Sequence, residues 1–382
     1  MRDAVICEAV RTPVGKRGGA LSGVHAADLS AVVLKALAER SGLDPAQIDD
    51  VIWGCVSQVG EQTADIGRNA VLTAGWPESI PGVTIDRQCG SSQQALAFAA
   101  AGVIAGHYDV AVAGGVEMMS RVPMGSTAVK EFGTPYSQDY LDRYNGVRPN
   151  QGIGAEMIAD QWGLSRTQLD EFSLRSHEKA AKAQDEGLFD SQIIPIQTES
   201  GVVTKDEGIR RGSTVEKLAQ LPTPFKEDGV ISAGNASQIS DGSAAMLVTT
   251  SEKAKELGLK PLVRVHTTVL AGTDPIIMLT APIPATEKAL KRSGLSIGDI
   301  GAFEVNEAFA SVPMAWLKDT GADESRLNPN GGAIALGHPL GGSGARLMST
   351  LIHHMVEKKV QYGLQTMCEG GGQANATILE LL

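Results

Sequence analysis

A chain of 382 residues with 42% hydrophobic content exceeds what one core of ordinary size holds, so two related cores are expected. Its formal net charge of -11 removes nucleic acid and anionic membrane surfaces as partners, because such polyanions are gripped by basic stripes. Forty-four glycines against 4% aromatic residues favour close helix-on-sheet packing over an aromatic-lined binding face.

Ala4 to Glu8 reads as a strand, without a long apolar leader before it, and no run of eighteen apolar residues follows; a soluble cytoplasmic protein is expected. Leu29, Val32, Val33, Ala36 and Leu37 recur at helical spacing until Gly42 ends the run. Val51 to Val56 reads as a buried strand, Val83 to Asp86 as a short one and Ser91 to Ala105 as an Ala-rich helix. Asp109 to Ala113 is an apolar strand closed by Gly114 and Gly115. From Ser120 to Ser240 prolines scatter among polar stretches, which marks an inserted, loop-rich region. Within it Ser165 and Gln168 have capping-box spacing and open one long helix, whose later polar face predicts exposure.

Alternation resumes with strands Ala244 to Thr249 and Leu262 to Val269, a helix after Pro284 and the strand Ala302 to Val305. A helix through Ala308 to Leu317 and another after Ser343 complete the pattern. The second half echoes the first. Val51 to Val56 matches Ala302 to Val305, the short strand before Cys89 matches Ala333 to Leu336 before His338, and Asp109 to Gly115 matches the strand from Gly363 to Cys368. An α/β protein of two βαβ-rich halves follows, with residues 1–119 and 241–260 forming the first core, 120–240 an insertion, and 261–382 the second core. Four cysteines, Cys7, Cys55, Cys89 and Cys368, are too few for a disulfide scaffold, and none forms a Cys-x-x-Cys pair, so no metal site is expected. Cys7 and Cys55 fall in apolar strands and read as core.

Four segments carry groups with chemical potential. In Arg87-Gln88-Cys89-Gly90-Ser91 a strand ends, glycine permits a turn and a helix begins. There the helix end favours thiolate and a nucleophile; the alternative is a small packed cysteine. In Gly337-His338-Pro339 the imidazole sits in a glycine-dense turn, as a proton acceptor or as a structural histidine. Met367-Cys368-Glu369-Gly370-Gly371-Gly372 places a second thiol beside backbone N–H groups freed by glycine, or is a plain glycine turn. Asn306-Glu307 lies between strand and helix, where Asn306 either orients a reacting group or caps the helix.

Together these elements resemble the thiolase family over essentially the whole chain, and further family features appear at Gly114 to Ser120 and at Ala233 to Gly242. The resemblance implies a thiolase-like fold, two pseudo-repeated βαβαβαββ cores layered α-β-α-β-α, with the insertion on the coenzyme A side. It also implies CoA-dependent cleavage of 3-ketoacyl-CoA to acetyl-CoA and a shortened acyl-CoA. Cys89 would carry the acyl group, His338 would take its proton, and Cys368 would protonate the acetyl-CoA enolate. Asn306 would hold a water at one oxyanion, and the N–H groups of Cys89 and Gly370 would meet the other. Glu307 reads as structural. Coenzyme A would be a co-substrate rather than a resident cofactor, bordered by Ala233, Ser237 and Phe309, with Arg210 toward its adenine-phosphate end. Without the resemblance, Arg210-Arg211 is equally an ordinary solvated pair. Family members form dimers that pair into tetramers, which implies a homo-oligomer here.

Two segments depart from the commoner family pattern, Gln151-Gly152-Ile153-Gly154-Ala155-Glu156 and Met278-Leu279-Thr280-Ala281-Pro282. Both border the acyl pocket in the family, so a substrate range beyond acetoacetyl-CoA is expected. A condensing enzyme of ketosynthase type lacks the second catalytic thiol, and Cys368 counts against it. A protein that binds lipid or CoA without chemistry, or a cysteine hydrolase, would not need all four groups.

Overall fold

The computed structural model describes residues 2–382. Ten strands share one sheet. At its centre Val5–Arg11 meets Val263–Gly272 antiparallel through only Val5 with Arg264 and Ile6 with Val263. Outward from that seam on one side run Ser240–Thr249 and Val110–Met118, both antiparallel, then Asp50–Gly54 and Gly82–Ile85 in parallel. On the other side Gln373–Leu381 and Tyr362–Glu369 are antiparallel and Ala302–Val305 is parallel. The same succession in both directions is the internal repeat expected from the sequence.

Helices cover the sheet according to which strand face is apolar. Ala26–Ser41 and Ile66–Thr73 pack on the first half with Val51, Trp53 and Val112. Pro282–Ser293 and Ser311–Thr320 pack on the second half around Phe303 and Trp316. Between the halves lie the helices Ser91–Ala105 and Ser343–Lys358, whose Ala95, Leu96 and Ala99 share a core with Ala345, Met348 and Leu351. Gly42 and Gly106 end their helices at φ 73° and 76°, the left-handed conformation that glycine adopts at least cost.

Three expectations are corrected. Ala333–Leu336 is a helical turn, not a strand: Leu336 N–H returns to Gly332 O at 2.8 Å, and the Glu307 carboxylate takes the Ile334 N–H at 3.1 Å. Ala and Leu favour that turn, and the second half has no counterpart of the outermost strand. The helix Arg166–Asp185 has the expected capping box, but it is not simply exposed, since Leu169, Phe172, Ser176, His177, Ala180 and Ala183 form a buried face. Its Ser and His residues hide that face from hydropathy. The insertion also carries a second substantial helix, Gln151–Trp162, capped by Asn150, which two early glycines obscure. No helix among the described residues is long and apolar enough to cross a membrane.

Phe303 and Trp316 meet edge to face at 5.2 Å in the second-half core, and both are fully buried. Phe303→Ala is expected to cost about 3–5 kcal/mol, read as a lowered urea midpoint by tryptophan fluorescence.

Candidate active site

The strand Gly82–Ile85 delivers the chain into a turn in which Gln88 takes φ 48°. Ser91, at the helix start, ties this turn closed, accepting from Arg87 N–H at 2.9 Å and donating to Gln88 O at 2.6 Å. Cys89 is thereby held half-buried at the N-terminal end of the central helix. The facing turn comes from the hairpin between Tyr362–Glu369 and Gln373–Leu381. The two turns interdigitate: a Cβ on Gly90 would lie 1.9 Å from Glu369 Oε1, and one on Gly370 would lie 2.8 Å from Gln88 Oε1. A side chain at either position would have to displace the carboxylate or amide that faces it. Asn375 Nδ2 donates to Gly90 O at 3.1 Å and locks the contact.

This contact brings the two thiols into one electrostatic neighbourhood. Burial first, then Cys368 and Glu369, push the Cys89 thiol well above its ordinary value. The expectation of a helix-stabilised thiolate is therefore overturned, because desolvation outweighs the helix end and the protonated thiol is the resting form. Cys368, fully buried, is pushed up to about 12, chiefly by burial and against the hydrogen bond from Asn306. Asn306 Nδ2 lies 3.9 Å from Cys368 Sγ, and Asn306 Oδ1 is buried without a partner. Asn306 caps nothing, since the next helix begins at Ser311. Glu307 is saturated by Ser176 Oγ at 2.6 Å, Asn328 Nδ2 at 2.8 Å and Ile334 N, a structural role as expected.

His338 is 4% exposed, and its ring is fixed by hydrogen-bond bookkeeping. His338 Nδ1 lies 2.6 Å from Ser343 Oγ, which is 3.0 Å from Pro339 O; with the hydroxyl proton directed to Pro339 O, the imidazole donates from Nδ1. Nε2 is buried without a hydrogen-bond partner. Burial, and then the Arg346 guanidinium, depress its pKa to about 3. Glu117, fully buried, steadies this turn by accepting from Gly341 N–H at 2.9 Å and from Val56 and Ser57 N–H at 2.9 and 3.0 Å.

His338 and Phe309 line an inner cavity of about 160 Å³ with Met119, Met124, Gln151 and Phe225. Ser237, Gln238 and Ile239 border both this cavity and an outer one of about 520 Å³, lined also by Lys16, Arg17, Arg210 and Ala233. The Ser237 N–H donates to Ala308 O at 2.9 Å, which lays this segment along the one that carries Asn306. Arg210 and Ala233 line the outer cavity, Phe309 and His338 the inner one, and Ser237 both. Cys89, Asn306, Cys368 and Gly370 line neither; the nearest link is Ala308, which lines the inner cavity and whose backbone hydrogen-bonds Cys368. Arg210 and Arg211 part company: Arg211 is held by Asp185 at 2.7 and 2.8 Å, whereas Arg210 turns to the outer cavity. Lys16 and Arg17 were missed in the sequence, although a basic pair before Gly18-Gly19 was a usable signal. Met278, at φ 63°, does not line the cavity, and Gly154 backs onto Ile277 O behind Gln151.

A pKa lowered to about 3 keeps His338 neutral at every pH above that value. In ¹³C-histidine NMR its ring resonance is expected to stay fixed between pH 5 and 8; an inflection near 6.5 would contradict this reading of the ring's surroundings.

Comparison with known proteins fits this geometry. The family model of the thiolase N-terminal domain matches residues 4–252, and that of the thiolase C-terminal domain matches residues 259–381. The chain is 50% identical over 388 residues to the steroid 3-ketoacyl-CoA thiolase FadA6 of Mycobacterium tuberculosis, covering 100% of this chain and 95% of that protein. It is 44% identical to a beta-ketoadipyl-CoA thiolase of Escherichia coli and 45% identical to a 3-ketoacyl-CoA thiolase of Aeromonas salmonicida, with 100% of each chain covered. Among solved structures, the acetyl-CoA acetyltransferase of Bacillus anthracis superposes with a TM-score of 0.92 at 39% identity, over 100% of this chain and 99% of that one. A cysteine pair, an imidazole with a free lone pair and full-length likeness lead to one assignment: the chain belongs to the thiolase family and is an acyltransferase.

Proposed function

We propose that this thiolase degrades 3-ketoacyl-CoA by thiolysis through an acyl-Cys89 intermediate. His338 Nε2 takes the Cys89 proton as sulfur attacks the C3 ketone, and the C2–C3 bond breaks to expel the acetyl-CoA enolate. Cys368 protonates that enolate at C2. The resulting Cys368 thiolate takes the proton of an incoming CoA thiol, whose sulfur collects the acyl group from Cys89. The departing Cys89 sulfur recovers its proton from His338, and every group returns to its starting state. Reversed, the steps form a carbon–carbon bond by Claisen condensation. The observation that carries this reading is the buried, unpartnered Nε2 of His338, on a ring whose Nδ1 is engaged by Ser343.

Both thiols rest protonated, which suits Cys368 as an acid and means that Cys89 ionises only as it attacks. The Asn306 amide, its oxygen unpartnered, is suited to holding a water that joins His338 at the thioester oxyanion. The Gly370 N–H engages no protein acceptor among the described residues and, with that of Cys89, serves the second oxyanion. Coenzyme A lies with its pantetheine along Ala233, Ser237 and Phe309 and its nucleotide end toward Arg210. Residues 1–119 with 241–260 and residues 261–382 act as the two cores, and 120–240 as the CoA-side insertion. The enzyme acts in the cytoplasm as a homo-oligomer, a dimer or a pair of dimers. Exposed Val83 on the edge strand and Phe98 and Ile104 on the helix behind it support self-association.

The unusual segment at Gln151, which lines the inner cavity, with a relative named for steroid 3-ketoacyl-CoA, favours acyl groups larger than acetoacetyl. A thiolysis assay across acyl lengths and ring-bearing substrates is expected to peak above four carbons; activity on acetoacetyl-CoA alone would sink the substrate assignment. Cys89→Ala is expected to abolish turnover and the acyl-enzyme mass adduct, while Cys368→Ala loses turnover and also slows the half-reaction that acylates Cys89 from an acyl-CoA, though the Cys89 adduct still forms. Ser343→Ala, by freeing the imidazole to change tautomer, is expected to lower kcat about ten- to a hundredfold with little change in KM.

A further inference from the structure

Arg210 reaches the outer cavity from a loop without regular secondary structure, and the loop is held at several points that the reaction itself does not require. Asp206 forms a two-pronged ion pair with Arg11 at 2.7 and 2.9 Å, with both side chains fully buried, and it also takes the Val14 N–H at 2.8 Å. Arg11 is sandwiched further by Gln192 Oε1 at 2.7 Å and by the Phe189 ring 5.0 Å from its guanidinium carbon. Gly208 O accepts from Gln238 Nε2 at 2.8 Å. On the far side, the backbone N–H of Arg210 itself donates to His177 Nδ1 at 3.1 Å.

His177 lines neither cavity. It sits on the buried face of the helix Arg166–Asp185. Because an N–H donates to Nδ1, that nitrogen carries no proton, and the ring must be neutral with its proton on Nε2. Its surroundings agree: burial, and then the Arg210 charge, lower the pKa to about 4, so the acceptor is present throughout the physiological range. The ring therefore fixes the backbone of Arg210 from beneath while Asp206 fixes the loop four residues earlier. A loop anchored on both flanks presents its guanidinium without first being ordered by ligand, and ordering is a cost that binding would otherwise bear.

Resting on the proposed function above, we propose that His177 is a positioning residue for the nucleotide end of coenzyme A, acting through Arg210, with the Arg11–Asp206 pair as the second anchor. It touches neither substrate nor the reacting atoms. Its contribution belongs to the phosphorylated adenosine portion alone, so an acceptor thiol that lacks that portion, pantetheine, is indifferent to it.

The test compares CoA and pantetheine as the acceptor thiol in steady-state thiolysis by the full-length enzyme. His177→Leu keeps much of the side-chain volume but offers no acceptor. It is expected to raise KM for CoA five- to tenfold, leave kcat within twofold, and leave kcat/KM for pantetheine within twofold. His177→Asn, whose Oδ1 can accept from Arg210, is expected to restore the CoA value. His177→Ala removes the acceptor in a different way and must give the same split, which keeps the test decisive where leucine prevents folding. An unchanged KM for CoA in both removal variants, or equal losses with CoA and pantetheine, overturns the proposal and makes His177 merely structural. Absence of CoA-dependent thiolysis in the wild-type enzyme would instead overturn the proposed function.

Discussion

The Cys89 turn and the Glu369-Gly370 turn occupy each other's space, and most of the active-site arrangement follows from that close approach. Each turn presents a glycine where the other presents a side chain, Gly90 to Glu369 and Gly370 to Gln88. A methyl group at Gly90 would meet a carboxylate oxygen at bond-like distance, so no rotamer change at the glycine itself relieves it. The approach draws two thiols from opposite halves together in a dry setting, and that dryness governs their protonation. Burial is the largest influence on Cys89, Cys368 and His338 alike, and it drives each toward its neutral form. Neutral thiols and a neutral imidazole leave the resting protein without separated charge at these three positions.

Around this centre the polar groups divide into those whose hydrogen bonds are complete and those left open. Glu307 and Glu117 are saturated and brace turns. His338 Nε2 and Asn306 Oδ1 are open, although buried, which is costly unless a reacting group or water completes them. Both carboxylate oxygens of Glu369 and of Glu304 are also buried without partners, so openness does not by itself mark a reacting group.

Much of the site was legible in the chain, for a local reason. Cys89, His338 and Cys368 each lie in glycine-bearing turns beside helices or strands, so their setting is written within a few neighbouring residues. The start of the strand at Val110 was legible, but its end was not: Gly114 and Gly115, expected to close it, lie inside Val110–Met118, where Trp53, Ala244 O and Gly341 O leave no room for a side chain. What escaped depends on partners far along the chain. Ala333–Leu336 became a helical turn through Glu307, the face of Arg166–Asp185 is buried through contacts with distant segments, and the tautomer of His338 depends on where Ser343 sends its proton. The thiol ionisation was misread for a related reason: a helix end is visible in sequence, whereas the desolvation that outweighs it is produced by the fold.

The seam between Val5–Arg11 and Val263–Gly272 has a consequence for how chemistry is shared. Cys89 belongs to one half of the sheet, whereas Asn306, His338 and Cys368 belong to the other. Two paired residues on each strand, aided by the central helices, thus join the half that carries Cys89 to the half that carries the other three groups. In the proposed mechanism neither half-unit owns a reaction, much as a lock works only when barrel and bolt share a frame.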